Sequence, residues 1–156
     1  MAQSKNYTVQ EATKRMERFC AYQERCHQEI VQKLKEMNMI PQAIELIIVH
    51  LIKENYLNEE RFARSFARGK FSIKKWGKRR IVAELKQRQV SQFNIKAALT
   101  EIDETAYLST FDELAKKRLS QIKEKNVFKR KRKLADYLIY RGWENELVYA
   151  KIRELL

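Results

Sequence analysis

Residues 55–92 read NYLNEERFARSFARGKFSIKKWGKRRIVAELKQRQVSQ, and the fold follows from how this stretch is parsed. It predicts one helix with an acidic start, a basic turn carrying Trp76 and Gly77, and a second helix that begins in positive charge. Asn58 can cap the first helix, and Glu59 and Glu60 suit the positive end of its dipole. Lys78, Arg79 and Arg80 break that rule at the second start, ahead of the apolar stripe Ile81, Val82 and Leu85. Each cation there is unfavourable by about 0.3 to 1 kcal/mol at an exposed end. One reading is that an anion normally sits on these amides and side chains. The other is a solvated lysine-rich face.

Working outward, Leu85 aligns with Leu34 and Leu138, at offsets of 51 and 53 residues. In that register Ile30 meets Ile81 and Leu134, Met39 meets Val90 and Trp143, and Ile44 meets Ile95 and Val148. Such a period suits three helices per unit. The predicted fold is all-α, three tandem three-helix repeats in an elongated array that can curve, with units at 9–56, 57–103 and 104–156 and little burial between them. Ser91 is the expected cap of the last helix in the middle unit, with Val90 and Ile95 as a hydrophobic staple. Pro41 falls at the first helical position of its counterpart, where a missing N–H costs nothing. Asn38 and Gly142 suit left-handed turns after Leu34 and Leu138. In the first unit, Ala12, Met16, Phe19 and Cys20, then Ile30, Val31, Leu34 and Met37, then Ile44, Ile47, Ile48 and Leu51 recur at helical spacing and read as core. In the last unit Ser109 is an expected cap, with Asp112 three residues on.

The same register places Lys131, Arg132 and Lys133 over Lys78, Arg79 and Arg80, so two units are expected to carry cations at one equivalent helix start. The first unit has His27, Gln28 and Glu29 there. Arg61, Arg64 and Arg68 fall on one helical face and, with Lys74 and Lys75, could extend a basic surface or simply be solvated. Trp76 could stack on a nucleobase, although a tryptophan before a helix more often closes a small core. Phe62, Trp76, Leu85 and Trp143 are expected in the core.

Hydrophobic residues make up 44% and charged residues 34%, with three glycines and one proline, which argues for a foldable and largely helical chain. The net charge of +13 points to a polyanionic partner. A membrane partner is not expected: the apolar run Leu46–Ile52 is interrupted by His50 and falls short of the roughly 20 residues needed to span. The opening MAQSKNYTVQ has no apolar signal core, so the expected location is the cytoplasm. Cys20 and Cys26 lack metal or redox spacing, and His27 beside Cys26 lacks further ligands, so no metal and no cofactor are expected. No Gly-rich phosphate loop, HExxH or GxSxG occurs, and His50 on an apolar helix reads as a boundary residue, so no catalysis is expected.

Tyr56-Leu57, Asn58-Glu59-Glu60-Arg61-Phe62-Ala63, Trp76-Gly77-Lys78-Arg79-Arg80-Ile81 and Glu84-Leu85 together resemble the central signature of the RecX family of bacterial recombination regulators. Two departures stand out: Asn58 and Glu59 replace a common aspartate pair, and Gln89 replaces a glycine at the end of the second helix. The resemblance implies a non-enzymatic modulator of the RecA recombinase. Such proteins lie in the groove of the RecA–DNA filament, bridge neighbouring protomers and inhibit filament growth, ATP hydrolysis and strand exchange. The implied partners are the RecA filament and single- or double-stranded DNA, bound weakly and with salt dependence, by a monomer. Lys78, Arg79, Arg80, Lys131, Arg132 and Lys133 are the expected contacts, supported by Arg61, Arg64, Arg68, Lys74 and Lys75. Two other readings are a stand-alone DNA-binding regulator with a helix-turn-helix-like unit and an adaptor for an acidic protein.

Overall fold

The computed structural model describes residues 6–156; Met1–Lys5, the first half of the opening segment read above, lies outside the described residues. Among the described residues there are nine α-helices and no strand. They are α1 (Val9–Tyr22), α2 (His27–Glu36), α3 (Pro41–Lys53), α4 (Glu59–Ser72), α5 (Lys78–Gln87), α6 (Gln92–Leu99), α7 (Glu104–Gln121), α8 (Val127–Tyr140) and α9 (Asn145–Leu155).

Local chemistry sets most of the helix starts. Asn58 accepts a hydrogen bond from the Arg61 amide at 2.9 Å, and Ser91 accepts one from Asn94 at 3.2 Å. Pro41 is the first residue of α3. Ser109, by contrast, lies inside α7, whose cap is Asp103, accepting from the Ala106 amide at 2.9 Å. The helix continues through Ser109 because Tyr107, Phe111 and Ala115 form one buried stripe that begins before it.

The helix stops repeat with the sequence register. Asn38, Gln89 and Gly142 each have a left-handed backbone, with φ of 60°, 60° and 97°. The next amide then turns back to a carbonyl five residues earlier: Met39 to Leu34 at 3.0 Å, Val90 to Leu85 at 3.1 Å and Trp143 to Leu138 at 3.2 Å. Gln89 therefore takes up the turn without the family's glycine. Before each stop, Ile30 and Leu34, Ile81 and Leu85, and Leu134 and Leu138 are completely buried. Each such side chain contributes roughly 1.5–3 kcal/mol relative to exposure.

The expectation of little burial between units holds for the helix bodies, whose substantial pairings all lie within a unit, and is exceeded at an aromatic joint between the second and third units. One hydrophobic cluster belongs to α1–α3, from Ala12 to Leu57. A second runs without a break through α4–α9, joining Phe62, Leu85 and Ile95 to Tyr107, Leu134 and Trp143, and it takes in Cys26 from the α1–α2 turn. The reason is aromatic reach: the rings of Tyr107 and Trp143 lie 4.5 Å apart and Phe71 stands 5.8 Å from Tyr107, so α4 and α7 share rings. The molecule is nonetheless extended. Its 10535 Å² of accessible surface exceeds the about 8,300 Å² expected of a compact monomer of this mass.

Candidate functional site

The start of α5 is not an open anion site. Gly77 is the N-cap, and the turn between α8 and α9 packs directly against it. The Gly77 amide donates to the Arg141 carbonyl at 2.8 Å, the Lys78 amide to the Tyr107 hydroxyl at 2.8 Å and the Arg79 amide to the Gly142 carbonyl at 3.0 Å. Three of the four amides at this helix start are thus engaged within the chain. The approach is so close that a Cβ on Gly77 would lie 2.4 Å from the Gly142 carbonyl carbon, and one on Gly142 would lie 2.3 Å from the Arg80 Cβ.

This contact also accounts for the cations. The positive end of the α5 dipole meets the negative end of α8, where cationic side chains are favourable. Arg80 is sandwiched between Trp76 at 4.2 Å and Tyr140 at 4.8 Å, and Lys70 covers Trp76 at 5.0 Å. Lys78 lies over the Tyr107 ring at 4.4 Å and pairs with Glu104 at 2.9 Å. Tyr107 in turn donates to Glu144 at 2.6 Å; burial, and then that carboxylate, push its hydroxyl far above the usual phenol range. Arg79 is exposed and reaches Asn145 at 3.1 Å. Trp76 is half-buried against Phe66 rather than fully in the core, whereas Phe62, Leu85 and Trp143 are buried.

The arginines of α4 are engaged as well. Arg61 pairs with Glu24 on the α1–α2 turn and donates to the carbonyls of Asn55 and Tyr56 at 3.0 and 3.2 Å. It ties the first three helices to the fourth. Arg64 and Arg68 converge on Glu101 at 3.1 and 3.2 Å, and they hold that carboxyl below its ordinary range, Arg64 by the stronger hydrogen bond. Lys75 occupies a left-handed position and donates to the Ser72 carbonyl at 2.8 Å, while the Lys74 carbonyl accepts from Arg141. The side chains of Lys74 and Lys75 are exposed.

The second cluster differs in both place and company. Helix α8 begins at Val127 behind an Asn126 cap, so Lys131, Arg132 and Lys133 sit more than a turn inside it and not at its start, which corrects the expected equivalence with α5. The clusters are also apart: Lys131 is nine residues from Tyr140, where Arg80 docks, about 13 Å along the helix. Lys131 has no ion pair among the described residues. Arg132 makes a marginal one with Asp136 at 4.0 Å, its side chain 85% exposed, and Lys133 lies 3.7 Å from Glu124. Lys133 also lines an open groove with Arg118, Lys123, Tyr137 and Tyr140. Arg118 and Arg141 cover Tyr137 from 4.3 and 5.1 Å. Of these groove residues only Lys133 is among the contacts expected from the sequence. Tyr137 and Tyr140, four and seven residues along the same face from Lys133, are the available signal.

His50 meets Glu17 at 2.8 Å, and burial raises both cysteine thiols, Cys20 to about 11. Among the described residues, no group of three His, Cys, Asp or Glu side chains could hold a metal ion, and no helix is long and apolar enough to cross a membrane.

The fold is that of an all-helical repeat protein. Residues 58–99 match the family model for the second three-helix domain of RecX, and residues 105–152 that for its third. The chain belongs to the RecX family. It is 36% identical over 106 residues to the regulatory protein RecX of Yersinia enterocolitica, covering 68% of this chain and 62% of that one. It is 30% identical over 138 residues to that of Prosthecochloris aestuarii, covering 88% and 89%. A crystal structure of a regulatory protein RecX superposes with a TM-score of 0.83 at 25% identity, covering 94% of this chain and 73% of the other. Against several curated relatives the chain spans a smaller share of their length, from 33% to 62%.

Proposed function

We propose that this protein is a non-enzymatic modulator of the RecA recombinase, acting on the RecA–DNA filament to slow its growth, its ATP hydrolysis and strand exchange, in the cytoplasm. The observation that carries this reading is the division of charge along the chain. Residues 57–156 hold a net charge of +12, whereas residues 9–56 carry seven cations against seven anions. The exposed part of that excess on α8 is poorly neutralised by the protein's own carboxylates. We take Lys131, Arg132 and Lys133 as the leading contacts to acidic groups of RecA or to DNA phosphates, joined by Arg79, Lys74 and Lys75. Lys78, Arg80, Arg61, Arg64 and Arg68 hold the three units, 9–56, 57–103 and 104–156, in the spacing at which several weak contacts add on a repeating partner.

A stand-alone helix-turn-helix reader would offer the third helix of a unit to the major groove. Here α3 exposes Leu46 and Val49, α6 exposes Phe93, and Lys151 of α9 is held by Asp112 and Glu154 at 2.7 and 2.9 Å, which disfavours that reading. The test is ATP hydrolysis by preformed RecA–DNA filaments with the protein added below and above stoichiometry. Hydrolysis should fall progressively as the protein is added. Unchanged hydrolysis, together with tight sequence-selective binding to naked DNA, would overturn the reading in favour of a stand-alone regulator.

A further inference from the structure

We propose that the outer face of α3 is a self-association surface on which two copies of this chain pair antiparallel. A surface helix normally carries one apolar stripe; α3 carries two. Its inner stripe, Ile44, Ile47 and Leu51, is buried, yet Leu46 is 68%, Val49 56% and Ile52 47% exposed, and Ile40 just before it is 63% exposed. A shallow groove lined by Val31, Pro41 and Ile48 continues this face toward α2. A patch of this kind is in the roughly 300–600 Å² class of the largest apolar patches on monomers, which are often functional.

The charge map says what covers it. Residues 9–56 are neutral overall, so the polyanion drawn to α8 is not drawn here, and the +12 carried by residues 57–156 lies on the other units of an extended molecule. Beyond about 8 Å that charge is screened at physiological salt. Glu45 and Lys53 flank the exposed stripe, and neither is in an ion pair among the described residues. Helical spacing places Leu46, Val49 and Lys53 on one side, with Glu45 and Ile52 on its edge. A two-fold axis at Val49 then sets Leu46 against Ile52 of the second copy and Glu45 against its Lys53, and repeats both contacts by symmetry. The face is self-complementary in shape and in sign. Two such patches bury less than the about 1,200 Å² of the smallest stable interfaces, so the pair is weak and forms with rising concentration.

The experiment is analytical ultracentrifugation of the full chain from about 10 µM to about 1 mM. The mass should climb from 18.8 kDa toward twice that value. Val49→Glu and Glu45→Lys should each hold it at the monomer mass, with circular dichroism unchanged because both positions are exposed. Glu45→Lys combined with Lys53→Glu should restore the climb. A wild-type chain that stays monomeric throughout, or a Glu45→Lys chain that associates as the wild type does, overturns the proposal.

Discussion

Lys78–Arg80 and Lys131–Lys133 have nearly the same composition, and one repeat register relates them. Their surroundings differ. The first occupies the opening turn of α5, where the α8–α9 turn and Tyr107 take up amides and the rings of Trp76, Tyr107 and Tyr140 take up Lys78 and Arg80, leaving Arg79 exposed. The second rides the body of α8 with one marginal and one loose carboxylate partner. The contrast in exposure is large: the Lys78 side chain is 27% accessible and that of Arg132 is 85%. A run of cations therefore reports a contact surface only where the fold has left it unengaged. At α5 Lys78 and Arg80 are part of the joint between units; at α8 the charge is available.

The joint can be broken outright. Trp143→Ala should destabilise the protein by about 3–5 kcal/mol, read by denaturant unfolding, because the ring is fully buried between Tyr107 and Phe111. Gly142→Ala should destabilise it by more than about 1 kcal/mol, since the position has φ of 97° and its new Cβ would meet Arg80 backbone at 2.4 Å. Little loss in either variant would mean that the units are not locked together here.

A matched pair of substitutions sharpens the comparison, because each removes one positive charge. Arg80→Ala should reduce stability by about 1–2 kcal/mol, from lost stacking on two rings and a long hydrogen bond to the Tyr140 carbonyl at 3.5 Å. Arg132→Ala should stay within about 0.5 kcal/mol of the wild type. Equal effects on thermal unfolding would erase the distinction between the clusters.

The smallest effect concerns Glu101. Arg64 and Arg68 lower its folded-state pKa, so its contribution to stability is present above the unfolded carboxylate range and is lost as pH falls through the lower folded value. Glu101→Gln should therefore flatten the acid limb of a stability–pH curve below about pH 4.5 without creating a new transition near neutrality. An unchanged acid limb would mean that the two arginines are solvated, as one reading of the sequence allowed.

The parts legible in the sequence were those governed by short-range chemistry. Asn58, Ser91 and Pro41 start helices because their capping roles are local, and Asn38 and Gly142 end them for the same reason. Gln89 was harder, since its left-handed turn is imposed by the packing of Leu85 and Val90 rather than by its own preference. The start of α8 does not follow the repeat register, which aligns Lys131 with Lys78, because Asn126 caps the helix five residues earlier. The docking of Gly77 on Gly142 joins residues far apart in the chain, and an isolated glycine carries no local trace of the backbone it will touch. That one long-range contact separates the cations that build the molecule from those it presents.

The most direct test of that separation is inhibition of RecA–DNA filament ATP hydrolysis by the Lys131→Ala/Arg132→Ala/Lys133→Ala chain, with its thermal unfolding measured on the same preparation. The account predicts that inhibition weakens severely while the unfolding temperature stays close to that of the wild type. Full inhibition by that chain would contradict it.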